Sequence, residues 1–156
     1  MNSPRKLDDL SVEDFILLLL SGIKRLGNLD SLTGRTMVQK VVYLLTRNTN
    51  LRDSWGLNYF IHYYGPYSPE VTEASENLTT FGLVRESPLE TPELTRYDLK
   101  ITKEGEERAK KLYDSLDQQS KDRLNTMVKE ADMLNRTQLD EVIRQAYAQA
   151  AEEGLD

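Results

Sequence analysis

The ten residues HYYGPYSPEV, at positions 62–71, carry the most structural information in this chain. Gly65 and Pro66 favour a chain reversal, because glycine tolerates a positive φ and proline fixes its own φ at a value that suits turns. Ser68 is a good helix N-cap, and Pro69 suits the first helical position, where a backbone N–H has no partner. The ten residues therefore predict the end of a strand, a tight turn and the start of a helix in direct succession.

Two helices are predicted upstream of this turn. Ser11 and Asp14 approximate a capping box at the start of the first helix, and Gly27 is typical of the residue that follows a helix. A loop is expected around residues 28–32. Apolar residues then recur at helical spacing and predict a second helix over residues 34–47.

Aromatic residues crowd the segment before the turn. Residues 1–9 are polar and predict a loose arm, residues 48–56 predict a polar connection, and residues 57–64 suit a strand in a half-buried sheet. Six of the 12 aromatic residues (3 Phe, 1 Trp and 8 Tyr) lie between Trp55 and Tyr67. They either pack a core or form a platform on which nucleic-acid bases stack. Core packing is favoured, because no basic residue lies nearby to hold a phosphate.

A helix and a β-hairpin are predicted downstream of the turn. The helix covers residues 69–81 and closes at Gly82, and two strands follow at residues 83–87 and 96–101. Residues 88–95 form the expected hairpin tip. The stripe of the helix that should face inward consists of Val71, Ala74, Ser75, Leu78 and Phe81.

Three more helices complete the chain, with Thr102, Ser120 and Thr137 as their predicted N-caps. The order of elements predicts an α+β protein: a winged helix-turn-helix domain over residues 10–102, followed by a helical C-terminal extension over residues 103–152. The last two helices carry narrow apolar stripes. These stripes either fold back on the domain or pair between two chains in a homodimer.

Charge is distributed unevenly along the chain, whose net charge is −6. Residues 24–52 hold six basic residues and one acidic residue, for a local charge of +5. Residues 66–93 hold one basic and six acidic residues, for −5. The overall charge weighs against a protein that coats nucleic acid by bulk attraction. Any nucleic-acid surface would have to use the basic patch in residues 24–52.

Composition and motifs also exclude several classes of site. The chain has no cysteine and a single histidine, His62, so it offers neither a thiolate nucleophile nor a zinc ligand set. No nucleophile elbow, phosphate-binding loop or zinc-protease motif is present, and we predict no catalytic residue, no cofactor and no metal. The longest strong apolar run, residues 15–20, is too short to span a membrane or to serve as a secretory signal. We predict a cytoplasmic protein without a membrane partner.

Four strings in the chain form a familiar pattern: TGRTMVQKVVYLL at residues 33–45, HYYGPYSPEV, LTTFGLV and YDLKITKEG. They resemble the YwgA-like winged-helix proteins and the neighbouring Panacea group of antitoxin domains, also called SocA-like. The shared pattern is the pair Gln39 and Lys40 on an apolar helix, a Tyr-Gly-Pro-Tyr-Ser turn at residues 64–68, and a Gly-Leu strand start at residues 82–83. The resemblance covers roughly residues 32–105 and implies a winged-helix fold, no catalysis, and a regulatory role through DNA or a bound protein.

The pair Gln39 and Lys40 has two interpretations of equal weight. The Lys40 side chain could reach the carbonyl groups of the Gly-Pro-Tyr-Ser turn and act as a structural clamp, or it could belong to a ligand site.

The charge of the helix at residues 69–81 separates two hypotheses of function. A helix that reads the major groove offers Arg, Lys, Asn or Gln to base edges, whereas this helix offers three outward glutamates and no cation. The leading hypothesis is therefore a non-enzymatic regulatory module that binds a protein partner, and the alternative is a winged-helix transcription regulator. Candidate partner-binding residues are Gln39, Lys40, Tyr64, Tyr67, Ser68, Glu70, Glu73 and Glu76. Candidate DNA-binding residues are Arg35, Lys40, Arg47, Arg52, Arg85 and Arg96.

Overall fold

The computed structural model describes residues 3–156, and within them the protein is α+β, as the sequence predicts. The helices are α1 (Val12–Leu26), α2 (Arg35–Leu45), α3 (Leu51–Ser54), α4 (Pro69–Thr80), α5 (Lys103–Ser115), α6 (Gln118–Asn135) and α7 (Leu139–Glu153). The strands are β1 (Ser31–Leu32), β2 (Phe60–His62), β3 (Gly65–Tyr67), β4 (Val84–Glu90) and β5 (Thr95–Ile101). The strands form two antiparallel sheets, one with the order β1-β5-β4 and one that pairs β2 with β3.

Helix α1 lies at the centre of the core, and its caps confirm the sequence prediction. The Asp14 amide donates to Ser11 Oγ over 3.1 Å, and the Ser11 amide donates to the Asp14 carboxylate over 3.3 Å. Gly27 ends the helix with a φ of 83°, in the left-handed region. Residues on every side of α1 are buried, because α4, α5 and α6 all pack against it.

The N-terminal arm is ordered, which corrects the prediction for residues 3–9; residues 1 and 2 lie outside the described residues. Residues Leu7–Asp9 form a short 3₁₀ helix, and the Leu7 side chain is buried. The Arg5 amide donates to the Ser115 carbonyl, and the Arg5 carbonyl accepts from Asp117. One apolar side chain and two long-range hydrogen bonds therefore fix a segment whose composition is polar.

The aromatic segment is a hairpin, whereas the sequence predicted one strand over residues 57–64. Strand β2 pairs with β3 across a turn at residues 63–64, so Gly65 and Pro66 lie in β3 and do not end a strand. Pro66 lies opposite Ile61, whose amide donates to the Asp156 carbonyl and not across the hairpin. Proline is tolerated at this ladder position because no hydrogen bond across the hairpin needs its missing N–H.

The larger sheet also differs from the prediction in its bounds. Strands β4 and β5 are longer than expected, and the hairpin tip shrinks to residues 91–94. The sequence missed β1 in the loop at 28–32, and it missed the short helix α3 in the polar connection. Strand β1 is two residues long and exists only through its pairing with Lys100 and Leu99. A local sequence pattern cannot show such a strand.

The C-terminal helices begin at caps other than the predicted ones. Asp117 caps α6, because its carboxylate accepts from the Ser120 amide over 2.8 Å. Gln138 occupies the N-cap of α7, while the Thr137 hydroxyl donates back to the Met133 carbonyl. Thr102 caps α5 as predicted.

The predicted helical extension is packed on the predicted domain. Helices α5 and α6 contact α1, α6 and α7 contact α2, and α7 also lies against β3. Most members of the apolar stripes of α6 and α7 are buried within the chain and join one hydrophobic core, among them Leu124, Val128, Val142 and Ala146. Leu139 and Tyr147 of the predicted α7 stripe are exposed. Of the two alternatives for these stripes, the structure shows the fold-back arrangement. No helix within residues 3–156 has the length and apolar character that a membrane span requires.

Candidate functional site

Gln39 on α2 holds the start of α4 with its side-chain amide. Gln39 Nε2 donates to the Ser68 carbonyl over 2.9 Å and to Thr72 Oγ1 over 3.0 Å. Its Oε1 accepts from the Ser68 amide over 2.9 Å. Gln39 and Ser68 are both buried, so the Gln39 side-chain amide supplies the hydrogen bonds that water would otherwise make with the backbone N–H and C=O of Ser68. The side chain therefore fixes where β3 ends and α4 begins.

Lys40, the next residue, holds the hairpin. Lys40 Nζ donates to the Pro66 carbonyl over 2.8 Å, and only 2% of the residue is exposed. Burial lowers the pKa of the Lys40 ammonium to about 8. On α7 the Tyr147 hydroxyl donates to the carbonyls of His62 and Tyr63, over 3.2 and 3.3 Å. Lys40 and Tyr147 thus tie the hairpin to the helices behind it.

These contacts correct the placement of three predicted interface residues. Gln39, Lys40 and Ser68 lie inside the protein with partners in the chain, as the clamp interpretation expects. Their side chains are not at the surface, where a protein partner or a DNA phosphate would meet them. Their effect on any interface is indirect: they set the position of α4 and of the hairpin.

The outer face of α4 is acidic. Glu70 serves the helix start, where its carboxylate accepts from the Asn58 amide over 2.7 Å and from the Ser68 hydroxyl over 3.1 Å. Glu73 and Glu76 are exposed, and neither makes an ion pair or hydrogen bond with any residue in the described part of the chain. We refer to Glu73 and Glu76 as the acidic face. Phe81, predicted to face inward, is 75% exposed and lies one residue beyond the end of α4, which corrects that prediction.

The β4–β5 hairpin continues this surface with apolar and acidic side chains. Leu89 and Leu94 are exposed at its far end, Leu94 at 61%. Glu90 and Glu93 are exposed beside them. Arg85 is exposed near the base of the hairpin. A surface of this composition is poorly suited to DNA phosphates, which attract cations and repel carboxylates.

Most of the basic residues between positions 24 and 52 have a carboxylate partner within the protein, as has Arg96 in the β4–β5 hairpin. The pairs are Lys24–Glu106 at 3.0 Å, Arg35–Glu86 at 2.7 Å, Arg47–Glu130 at 2.8 Å, Arg52–Glu153 at 2.5 Å and Arg96–Asp98 at 2.8 Å. With Lys40 buried, Arg25 is the member of the basic patch that is exposed without a carboxylate within residues 3–156. The local charge of +5 is therefore largely neutralised by other parts of the chain.

The aromatic segment divides between the two interpretations drawn from the sequence. Trp55 packs on Phe15 with ring centroids 4.7 Å apart, and Tyr59 packs on Tyr43 at 4.7 Å, so these rings serve the core. Others remain at the surface of the β2–β3 hairpin: Phe60, Tyr63 and Tyr64 are exposed, and Tyr67 is half-buried.

Two residues that hold this region together have no signal in the local sequence. Tyr147 and Glu153 come from α7, about 80 and 100 residues away from the groups they hold.

Within residues 3–156, no group of three or more histidine, aspartate or glutamate side chains could hold a metal ion. A comparison with known protein families found no family model that matches the chain, and a comparison with curated proteins found no match.

Proposed function

We propose that the protein is a non-enzymatic winged-helix regulatory module that binds a protein partner through α4 and the β4–β5 hairpin. Two features support the winged-helix assignment. Helix α1, strand β1, helices α2 and α4, and the β4–β5 hairpin occur in the order of that fold, with α3 and the β2–β3 hairpin inserted between α2 and α4. The three-stranded sheet has the order β1-β5-β4, with the hairpin at its edge as the wing.

The observation that carries the choice of partner is the charge of the surface that would meet it. In a DNA-bound winged helix, α4 would enter the major groove, yet its acidic face brings two unpaired carboxylates and no cation there. The cations of α2 are held in intramolecular ion pairs or are buried. A protein partner with a basic surface fits this arrangement, and charge steering would speed its approach.

The resemblance to the SocA-like antitoxin domains extends this proposal. In that interpretation the partner is a toxin-like protein that the module holds in check, and both act in the cytoplasm. These remain predictions from the sequence.

Double-stranded DNA is the second candidate. Arg25 and Arg85 favour it, because both are exposed and neither has a carboxylate partner among the described residues. Binding through these two residues would be weak and strongly dependent on salt.

A capture experiment separates the two candidates. The full chain is immobilised and exposed to lysate of the source cells, with and without nuclease treatment. A second bait carries Glu73→Lys and Glu76→Lys. The control bait carries Glu104→Lys and Glu107→Lys, two exposed glutamates of α5 that give the same change in net charge.

The proposal expects one protein to be retained after nuclease treatment by the wild-type and control baits, and to be lost from the bait with the reversed acidic face. Loss of that protein from the wild-type bait on nuclease treatment would favour the DNA candidate and contradict the proposal.

A further inference from the structure

A cavity of about 350 Å³ lies beside the acidic face, between the start of α2, one side of α4 and the strands β4 and β5. Val38, Val71 and Leu99 are buried and form its apolar floor. Glu76 and Thr79 line its edge and are exposed, so the cavity opens on the same side as the acidic face. Its volume lies at the lower end of the range of about 300–1,000 Å³ that small-molecule sites occupy.

The charged groups of the cavity leave one carboxylate uncompensated. Arg35 donates to both oxygens of Glu86, over 3.0 and 2.7 Å, and its guanidinium lies 4.2 Å from the centre of the Tyr97 ring. The hydrogen bonds that Arg35 donates to Glu86 raise the pKa of Arg35, and the charge of Glu76 adds to this effect, so the guanidinium stays charged. The remaining charge is that of Glu76, which lacks an ion pair among residues 3–156. The charged side chains that line the cavity, Arg35, Glu76 and Glu86, therefore carry a net charge of −1.

Two hydroxyl groups of the wall, those of Ser75 and Thr79, are arranged as acceptors. The Ser75 hydroxyl donates to the Val71 carbonyl over 3.2 Å, and the Thr79 hydroxyl donates to the Ser75 carbonyl over 3.0 Å. Each of these two hydroxyls donates its single proton to a backbone carbonyl, so only its lone pairs remain to accept a hydrogen bond from an occupant. Together with the Glu76 carboxylate, the α4 side of the cavity offers acceptors to an occupant.

We propose that this cavity binds an arginine side chain of the protein partner, an inference that rests on the proposed function. The methylene stem would lie on the apolar floor, and the guanidinium would face Glu76 and the hydroxyls of α4. Guanidinium suits this wall because it carries five donors in a plane and no acceptor.

The test uses n-butylguanidinium as a probe of the arginine side chain. The probe is titrated into the ¹⁵N-labelled full chain and followed by amide NMR shifts. We expect saturable shifts grouped at Ser75, Glu76, Thr79 and Leu99. The uncharged isostere n-butylurea should give no saturable shifts at the same residues.

Two variants of α4 provide the matched comparison. Glu76→Gln removes the carboxylate that lines the cavity, and we expect it to weaken probe binding about three- to fivefold, the effect of one partly exposed charge. Glu73→Gln removes a carboxylate that is also exposed but does not line the cavity, and it should leave probe binding unchanged. Equal binding of butylurea, or an unchanged affinity in Glu76→Gln, would overturn the inference.

The outcomes also distinguish this inference from the proposed function. If the reversed acidic face loses the captured protein but the probe does not bind, the docking surface stands and the arginine site is wrong. If the probe binds as expected but the captured partner is lost on nuclease treatment, the cavity binds guanidinium and the proposed protein partner is wrong.

Discussion

Replacement of Gln39 by leucine tests the clamp that positions α4. The change keeps the size of the side chain but removes three hydrogen bonds, two of which satisfy the buried amide and carbonyl of Ser68. A buried polar group without a partner costs about 1–3 kcal/mol. The Ser68 carbonyl keeps the Thr72 amide as a donor over 3.4 Å, whereas the Ser68 amide loses its partner, so we expect the free energy of unfolding to fall by about 1–3 kcal/mol.

Urea denaturation followed by far-UV circular dichroism measures this loss. The midpoint should fall by about 0.5–1.5 M with an unchanged slope, if the slope is about 2 kcal/mol per molar urea. Gln145→Leu is the control, because Gln145 is exposed on α7 and the replacement is identical. The control should stay within about 0.5 kcal/mol of the wild type. Equal midpoints for the two variants would refute the reasoning about the clamp.

Three further predictions concern the same region. Burial lowers the folded-state pKa of Lys40 to about 8, below its unfolded value, so the unfolded chain binds more protons between that pH and about 10. Stability should therefore rise with pH by on the order of 2 kcal/mol across this window. Above it the buried Tyr43 and Tyr59, whose pKa values burial raises, oppose the trend. Denaturant midpoints at several pH values should show the rise in the wild type and not in Lys40→Met, and a rise of equal size in both would contradict this cause. Gly65 has a φ of 100°, so Gly65→Val should lower stability by about 1–3 kcal/mol, and an unchanged melting temperature would show that the start of β3 tolerates a side chain. Fluorescence anisotropy at low and moderate salt should show at most weak, salt-sensitive binding of double-stranded DNA. Tight sequence-specific binding that Asn77→Ala abolishes would be incompatible with the neutralised cations and the acidic α4.

The parts of the fold that the sequence predicts are those that local chemistry determines. Four helix ends confirm the sequence prediction: the starts at Ser11, Ser68 and Thr102 and the end at Gly27. At each start the capping side chain accepts a hydrogen bond from the backbone amide three residues on, and Gly27 adopts the left-handed conformation that ends a helix. The parts it missed depend on distant partners. Strand β1 needs β5, and the arm before α1 needs the end of α5.

The candidate site shows the same division. That α4 is acidic follows directly from the sequence, since the outward positions of a capped helix can be counted. The neutralisation of the basic patch could not be predicted from the sequence, because Glu106, Glu130 and Glu153 come from helices 80 to 100 residues further along the chain. Net charge summed over a segment cannot reveal such pairing. For the same reason, the cavity between α2, α4 and the sheet has no signature in any one stretch of sequence.

The rate at which the captured partner associates tests the central claim most directly. Stopped-flow or biosensor measurements would compare the wild type, the Glu73→Lys, Glu76→Lys variant and the Glu104→Lys, Glu107→Lys control at two ionic strengths. The account predicts that reversal of the acidic face slows association several-fold at low salt, with a smaller difference at high salt and no such slowing in the control. An association rate that is the same for all three proteins would contradict it, and would leave Glu73 and Glu76 as solvated surface.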